Sequence, residues 1–175
     1  MRIKPGNVES GLFPEHTGAK FSPCGKYRYD LWRTWDDAKP SCMFLMLNPS
    51  TADAIDNDPT VERCQRRAVK MDYGGLVVCN IFAYRSTDPT ALYDLEDPVG
   101  SENDATILRR ATHAGIVICG WGTHGALLGR GKAVIQMLMD ADVKPYALKI
   151  NADGSPQHPL YVRYAALPCI MKLPA

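Results

Sequence analysis

Polar residues follow four apolar runs of this chain. They are Asn48, Asn80, the pair Trp121-Gly122 and His158. The preceding runs cover residues 43–47, 76–79, 116–119 and 146–150. An amide donates and accepts hydrogen bonds in one plane, which suits the edge of a nucleobase. Each residue alone also has a structural interpretation, since Asn-Pro is common in turns and a single histidine is more often structural than catalytic.

The apolar runs predict the scaffold that positions these residues. Short buried runs alternate with longer amphipathic stretches, which is typical of parallel strands joined by crossover helices. We therefore expect a three-layer α/β domain with a mostly parallel, four-stranded central sheet and an added N-terminal β-hairpin. Ligands of such sheets bind outside the carboxyl ends of the strands. The sequence thus predicts that the four polar motifs meet at one pocket.

Length and composition favour one ordinary globular domain. The chain has 175 residues, a net charge of +1 and 46% hydrophobic residues, with no repeat or linker. We expect a single domain over residues 1–175, of which 1–40 form the hairpin extension. Within it, residues 1–20 are predicted to be irregular, and a turn at 22–25 leads into an alternating, β-forming stretch at 26–35.

Cysteine usage and hydropathy indicate the thiol state and the cellular location that we expect for this protein. The six cysteines include no Cys-x-x-Cys pair, which favours reduced thiols and predicts neither disulfides nor a metal site. No apolar stretch is long enough to span a membrane, and residues 1–7 lack the apolar segment of a signal peptide. We expect a cytoplasmic monomer with no cofactor and no membrane partner.

A predicted helix after the first strand carries a basic stripe. Asp58 is placed as its N-cap and Pro59 at its first turn, and Tyr73-Gly74-Gly75 as its end. The stripe consists of Arg63, Arg66, Arg67 and Lys70. Two interpretations stay open for it, a solvated helix face and a ridge that contacts phosphates. Asp58 likewise is either the helix cap alone or also a carboxylate of the site.

The segment 120–125 has the pattern Gly-x-Gly-x-x-Gly between a strand and a helix. That pattern is typical of dinucleotide-binding folds. Here it follows the third strand instead of the first, and the remaining chain is too short for a second mononucleotide-binding half. No acidic residue ends the next strand. The sequence therefore disfavours a dinucleotide site.

Taken in order, the four motifs resemble the strand-end motifs of the uracil-DNA glycosylase superfamily. The resemblance rests on residues 47–50, 76–80, 117–125 and 158–160. A closer likeness is to a small bacterial and phage family of largely unassigned function that shares Asn-Pro-Ser-Thr-Ala and His-Pro-Leu-Tyr. The resemblance covers roughly residues 43–162 and implies a uracil-DNA-glycosylase-like fold.

The resemblance also implies an activity and roles. A DNA glycosylase-like hydrolase would cut the N-glycosidic bond of a flipped pyrimidine, including one modified at C5. Asn48 would position the attacking water and His158 would donate to the base, with Asp58 as a further carboxylate. The implied base-binding residues are Asn80, Ser50, Pro49 and Phe82, where the small Ser50 leaves room for a 5-substituent. The implied DNA contacts are Arg63, Arg66, Arg67, Lys70, Arg85, Leu160 and Tyr161.

Two alternatives stay open at this stage. An enzyme with the same fold could act on free nucleotides or nucleosides, and a base-binding or nucleotide-binding module could lack catalysis. Salt dependence distinguishes the first alternative from a DNA enzyme, because binding of a polynucleotide releases counterions. Loss of product with binding retained in Asn48→Ala distinguishes an enzyme from a binding module.

Overall fold

The computed structural model describes residues 16–172, which form one mixed sheet flanked by helices. Its strands are β1 (Thr17–Phe21), β2 (Arg28–Thr34), β3 (Ser41–Met46), β4 (Gly75–Asn80), β5 (Ile116–Gly120), β6 (Pro145–Ala147) and β7 (Cys169–Ile170). The α-helices are α1 (Pro59–Lys70), α2 (Asn103–His113) and α3 (Arg130–Asp140). Short 3-10 turns cover Pro89–Asp94, Thr123–Gly129 and Pro159–Tyr161. The α/β class predicted from the sequence is confirmed.

The sheet is parallel at its centre and antiparallel at both sides. Its strand order is β1-β2-β4-β3-β5-β6-β7. The four strands β4, β3, β5 and β6 pair in parallel, with Leu45 opposite both Cys79 and Cys119. β1 and β2 form an antiparallel hairpin whose second strand continues the sheet through β4, and β7 runs antiparallel to β6. The sheet thus has seven strands in the described residues, because the hairpin joins it and a short strand follows β6.

Alternate residues of the central strands face two separate cores. Met43 and Leu45 pack on the side of α2 and α3, whereas Phe44 and Met46 pack on the side of α1. Because β3 lies between β4 and β5 with helices on both faces, its residues 42–45 are fully buried. The result is a helix–sheet–helix arrangement in which the carboxyl ends of the parallel strands share one edge.

Helix α1 begins as the sequence predicts and ends differently. The Asp58 side chain accepts the Val61 backbone N–H at 2.9 Å, and Pro59 opens the helix. The residue in the left-handed conformation after the helix is Asp72, with φ 66°, and not one of the predicted glycines. Gly74 instead allows the backbone of residue 36 to lie close to it, since a Cβ on Gly74 would lie 2.0 Å from the Asp36 carbonyl oxygen.

Two further boundaries differ from the sequence prediction. Residues 17–20 belong to β1 and not to an irregular segment, while residues 1–15 of the hairpin extension lie outside the described residues. β6 stops at Ala147 because the chain then turns back on itself, with an isolated bridge between Ile150 and Pro156. This turn shortens the strand and carries His158 to the edge of the sheet.

Two features of the structure concern the predicted reduced thiols and the predicted lack of a membrane span. Cys79 and Cys119 are buried free thiols within strands, and burial raises the pKa of both, so they pack as small neutral hydrophobic residues. Within residues 16–172, no helix has the length and apolar character that crossing a bilayer requires.

Candidate functional site

A cavity of about 570 Å³ opens at the carboxyl edge of the parallel strands. The residues from the four sequence motifs that line it include Asn48, Pro49, Ser50, Asn80, Trp121, Gly122, His158, Leu160 and Tyr161, and Asp58 also lines it. Its size lies in the range of pockets for small ligands. The structure therefore brings together polar groups that are more than one hundred positions apart in the sequence.

The Asn48 amide is held in one orientation. Its Nδ2 donates to the Ser86 carbonyl oxygen at 2.9 Å and to the Pro49 carbonyl oxygen at 3.3 Å. A carbonyl oxygen can only accept, so these contacts assign the nitrogen end of the amide to the backbone. No donor from the described residues reaches Oδ1. The Asn48 side chain therefore offers the cavity an oriented acceptor, which is what positioning a water requires.

The Asn80 amide lies at the base of the cavity beside a buried arginine. Asn80 and Arg28 are each only 2% exposed, and Arg28 Nη2 donates to Asn80 Oδ1 at 3.4 Å. Asn103, which is fully buried, donates to the backbone carbonyls of Asn80 and Ile81. Arg130 adds a second bond to the Ile81 carbonyl at 2.8 Å. The end of β4 is thus held by donors from β2, α2 and α3.

His158 presents a neutral imidazole to the cavity. Its Nδ1 accepts the Leu160 backbone N–H at 3.2 Å, which places the proton of the neutral ring on Nε2. Burial lowers the pKa of His158, and the Asp58 carboxylate opposes that shift less strongly. The ring therefore acts as a neutral hydrogen-bond donor through Nε2 at pH 7.

The lowered pKa of His158 predicts a loss of stability in mild acid. The unfolded chain binds a proton at an ordinary histidine pKa of 6.5, whereas the folded chain resists it. The free energy of unfolding should therefore decrease as the pH falls from about 7 through 6.5 and below. Urea unfolding of wild type and His158→Gln across this range measures the difference, with exposed His113→Gln as the control. An identical pH dependence in wild type and His158→Gln would contradict the prediction.

Two arginines of the basic stripe of α1 bind backbone carbonyls of the chain. Arg63 donates to the Pro159 carbonyl at 3.1 Å and to the Val162 carbonyl at 2.6 Å. Arg67 is buried and donates to the carbonyls of Val162 and Arg163. These two arginines hold the segment that contains His158, because they satisfy backbone carbonyls that no strand pairs. Arg67 is therefore not part of a solvated face, whereas Arg63 is half-buried.

Arg66 and Lys70 lie on the exposed face of α1, outside the cavity. Arg66 pairs with Glu62 at 3.1 Å, one helical turn earlier. Because both side chains face solvent, the solvated-face and the phosphate-contact interpretations both stay open for them.

The Asp58 side chain is both the cap of α1 and part of the cavity wall. One carboxylate oxygen caps α1, and the side chain also lines the cavity. No donor of the described residues reaches its second oxygen. Asp58 can therefore supply negative charge to the cavity while it caps the helix.

The remaining predicted contacts lie in three different places. Phe82 is fully buried in the core on the side of α2 and α3, so it cannot stack on a ligand as expected. Arg85 donates to the Gly25 carbonyl and lies 4.7 Å over the Phe21 ring, beside a second depression next to the cavity. Leu160 and Tyr161 stand at the rim, where the Tyr161 side chain is 73% exposed.

The Gly-x-Gly-x-x-Gly segment serves packing at the site. A Cβ on Gly125 would lie 2.1 Å from the Trp121 ring, and one on Gly120 would lie 2.7 Å from Pro159. These glycines let the ring and the His158 loop approach the strand end. The segment follows β5, where its close contacts are to side chains of the same domain. The structure thus explains the pattern without a dinucleotide.

Two arginines of β2, one in the cavity wall and one beside it, were not predicted as site residues. Arg28 lines the cavity, and Arg33, on the same strand, donates to the carbonyls of Asp53 and Ala54 and to Asn57. Both arginines fasten the loop that follows the Asn48 motif, since Arg28 also donates to the Ala52 carbonyl at 2.9 Å. The sequence signal that could have identified them is the recurrence of charged residues among the aromatic and aliphatic residues of β2.

The chain forms an α/β domain with a cavity at the carboxyl edge of its parallel strands, where polar groups converge. Residues 28–160 match the family described as protein of unknown function (DUF1643), and the chain belongs to that family. The match begins at Arg28, at the start of β2, and ends at Leu160, at the rim of the cavity. No curated protein and no solved structure matches the chain.

Proposed function

We propose that this domain binds a base extruded from a nucleic-acid strand and hydrolyses its N-glycosidic bond. The observation that carries the proposal is the meeting of an oriented Asn48 acceptor, the Asn80 amide and a neutral His158 donor in one cavity. A base read by its edge, a water and a leaving-group donor are the parts that such a hydrolysis needs.

In the proposed reaction, Asn48 Oδ1 orients a water toward C1′ of the sugar. The water oxygen forms a bond to C1′ as the C1′–N bond breaks, and the electron pair of that bond leaves on the base. His158 Nε2–H stabilises the charge that develops on a base oxygen. Asp58 accepts the proton that the water loses, and its negative charge favours the cationic sugar. The released base anion then takes up a proton from solvent, and Asp58 returns its proton to solvent, so the products are a neutral base and an abasic sugar.

The resemblance to the uracil-DNA glycosylase superfamily supports this proposal. The sheet has seven strands in the described residues, and we take the four parallel ones, β4-β3-β5-β6, as the counterpart of the four-stranded sheet that the resemblance implies. Ser50, half-buried at the cavity wall, agrees with a pocket that accepts a 5-substituted pyrimidine. A neutral Asn48 stabilises a cationic sugar less than a carboxylate would, so we expect a slow enzyme.

A groove of three adjoining depressions favours a polynucleotide over a free nucleotide. The depression beside Arg85 and Lys26 shares Ser50 and Ser86 with the central cavity. On the other side, a depression lined by Lys149 and Arg163 shares Tyr161 with it. Neither outer depression is lined by a carboxylate. A phosphodiester backbone could therefore contact cations on both sides of the base that enters the cavity.

Removal of groove cations should reduce the salt dependence of single-strand binding. Each lost phosphate contact lowers the slope of log K against log salt by about 0.7. We expect this change for Lys26→Gln and Lys149→Gln, measured by fluorescence anisotropy with a labelled oligonucleotide. Arg66→Gln and Lys70→Gln are the matched controls on α1 and should keep the wild-type slope. A reduced slope in the two α1 variants alone would contradict this prediction and would indicate that α1 contacts the nucleic acid.

The central experiment is base release from defined oligonucleotides. Purified protein is incubated with single and double strands that carry uracil, mismatched thymine, 5-hydroxymethyl pyrimidines or glucosylated pyrimidines. Mass spectrometry detects the free base, and cleavage at abasic sites detects the remaining sugar. We expect release from at least one substrate and its loss in Asn48→Ala. Binding of a base without release would support the non-catalytic module instead.

A further inference from the structure

An exposed tyrosine stands beside the cavity. Tyr93 belongs to the 3-10 turn Pro89–Asp94 and is 52% exposed, whereas the preceding residue, Leu92, is buried in the core. The Asp88 carboxylate caps the start of the turn by accepting the Thr90 backbone N–H at 2.9 Å. Because the cap and Leu92 hold the turn in place, the fold itself directs the Tyr93 ring outward.

Tyr93 is joined to the wall of the cavity through His124. Its hydroxyl oxygen lies 3.0 Å from His124 Nδ1, and the two ring centroids lie 5.8 Å apart at an interplanar angle of 76°, an edge-to-face contact. His124 lines the cavity beside Thr123 and the buried Trp121. We call Tyr93 and His124 together the aromatic shelf. The aromatic shelf is thus continuous with the cavity that we propose for the extruded base.

The charges around the aromatic shelf favour a base over a phosphate. Asp88 and Asp94 lie at the two ends of the turn that carries Tyr93, and both are exposed. The cations of the groove lie in the outer depressions, which Lys26 and Lys149 line. Carboxylates repel a backbone phosphate, whereas an aromatic ring offers a stacking surface to the uncharged face of a base. The aromatic shelf therefore suits a nucleobase.

We infer that the aromatic shelf binds the base next to the extruded nucleotide, so that the substrate is a single strand. The inference rests on the proposed function and names the form of its substrate. In a duplex the neighbouring base stays paired and stacked, and its face is closed to Tyr93. In a single strand that face is free, and an aromatic ring accepts the face of any base. The aromatic shelf therefore selects unpaired strands without selecting their sequence.

The test measures oligonucleotide binding by fluorescence anisotropy, which needs no catalysis. Three labelled probes carry the same central uracil: a single strand, its duplex, and a single strand whose two neighbouring nucleotides lack bases. Wild type should bind the intact single strand at least about tenfold more tightly than either other probe. Tyr93→Ala should lose about tenfold in affinity for the intact single strand and almost none for the probe without neighbouring bases.

Two further variants separate stacking from other effects of the substitution. Tyr93→Phe keeps the ring and loses only the hydroxyl, so it should retain most of the affinity for the intact single strand. Val69→Ala is the control for removing an exposed apolar side chain, because Val69 is 56% exposed on α1 and does not line the cavity. It should bind all three probes as wild type does. Circular dichroism establishes that each variant is folded.

Each outcome has a separate meaning for the two proposals. If wild type and Val69→Ala prefer the intact single strand and Tyr93→Ala does not, the inference is supported. If a folded Tyr93→Ala binds that strand as tightly as wild type, the aromatic shelf does not contact the neighbouring base. Equal or tighter binding of the duplex by wild type also overturns the inference, while base release from that duplex would leave the proposed function standing. If no probe binds and no oligonucleotide loses a base, the proposed function is wrong and the inference fails with it.

Discussion

Asn48→Ala should lower the single-turnover rate of base release by about two to three orders of magnitude, a range typical of removing one positioning or charge-stabilising group. The reason is the geometry of its amide, which is anchored to the carbonyls of Ser86 and Pro49 and directs Oδ1 as an acceptor. Truncation removes the acceptor that orients the water. Binding of the base should persist, since Asn80 and Arg28 form the floor of the cavity.

The control for Asn48→Ala is Gln136→Ala. Gln136 carries the same functional group, pairs with Asp140 on α3 and does not line the cavity. Circular dichroism and uracil binding establish that each variant is folded and retains its pocket. An unchanged release rate in a folded Asn48→Ala would show that Asn48 does not position the water and would shift that role to Asp58.

Arg67→Met should decrease the free energy of unfolding by about 2–4 kcal/mol. The buried guanidinium satisfies the carbonyls of Val162 and Arg163 and lies 5.0 Å from the Tyr164 ring centroid. Methionine fills much of the volume but leaves those carbonyls without donors. The segment that carries His158 should loosen with it, so base release should fall together with stability.

Arg66→Met is the matched control for Arg67→Met, because the two arginines are neighbours on α1 with opposite environments. The Arg66 side chain is 67% exposed, and within residues 16–172 its one polar contact is the ion pair with Glu62 one turn away. Its loss should change the free energy of unfolding by about 0.5 kcal/mol or less. Urea denaturation followed by tryptophan fluorescence measures both variants. Equal destabilisation would contradict the view that burial distinguishes them.

The strands and the four motifs were predictable because their signals are local. Apolar runs such as 43–47 and 76–79 are stable only when they are buried, which indicates central strands. A parallel sheet then places the residues that follow these runs at one edge. The cap of α1 was equally local, since Asp58 and Pro59 specify a helix start from adjacent positions. The length of the fourth strand was predicted wrongly, because the apolar run extends to residue 150 but the chain reverses after Ala147. That reversal is set by backbone pairing between Ile150 and Pro156, which hydrophobicity does not indicate.

The sequence by itself determined the α/β class, the order of the strand-end motifs and the start of α1, since each depends on neighbouring residues. Only the tertiary structure decided what the charged and aromatic groups do. It buried Phe82, turned Arg63 and Arg67 toward backbone carbonyls, and brought Arg28 to the cavity. Arg28 reaches it because β2 runs antiparallel to β4, so the first residue of β2 lies beside the carboxyl end of its neighbour. Such placements depend on long-range pairing, which no local pattern of residues records.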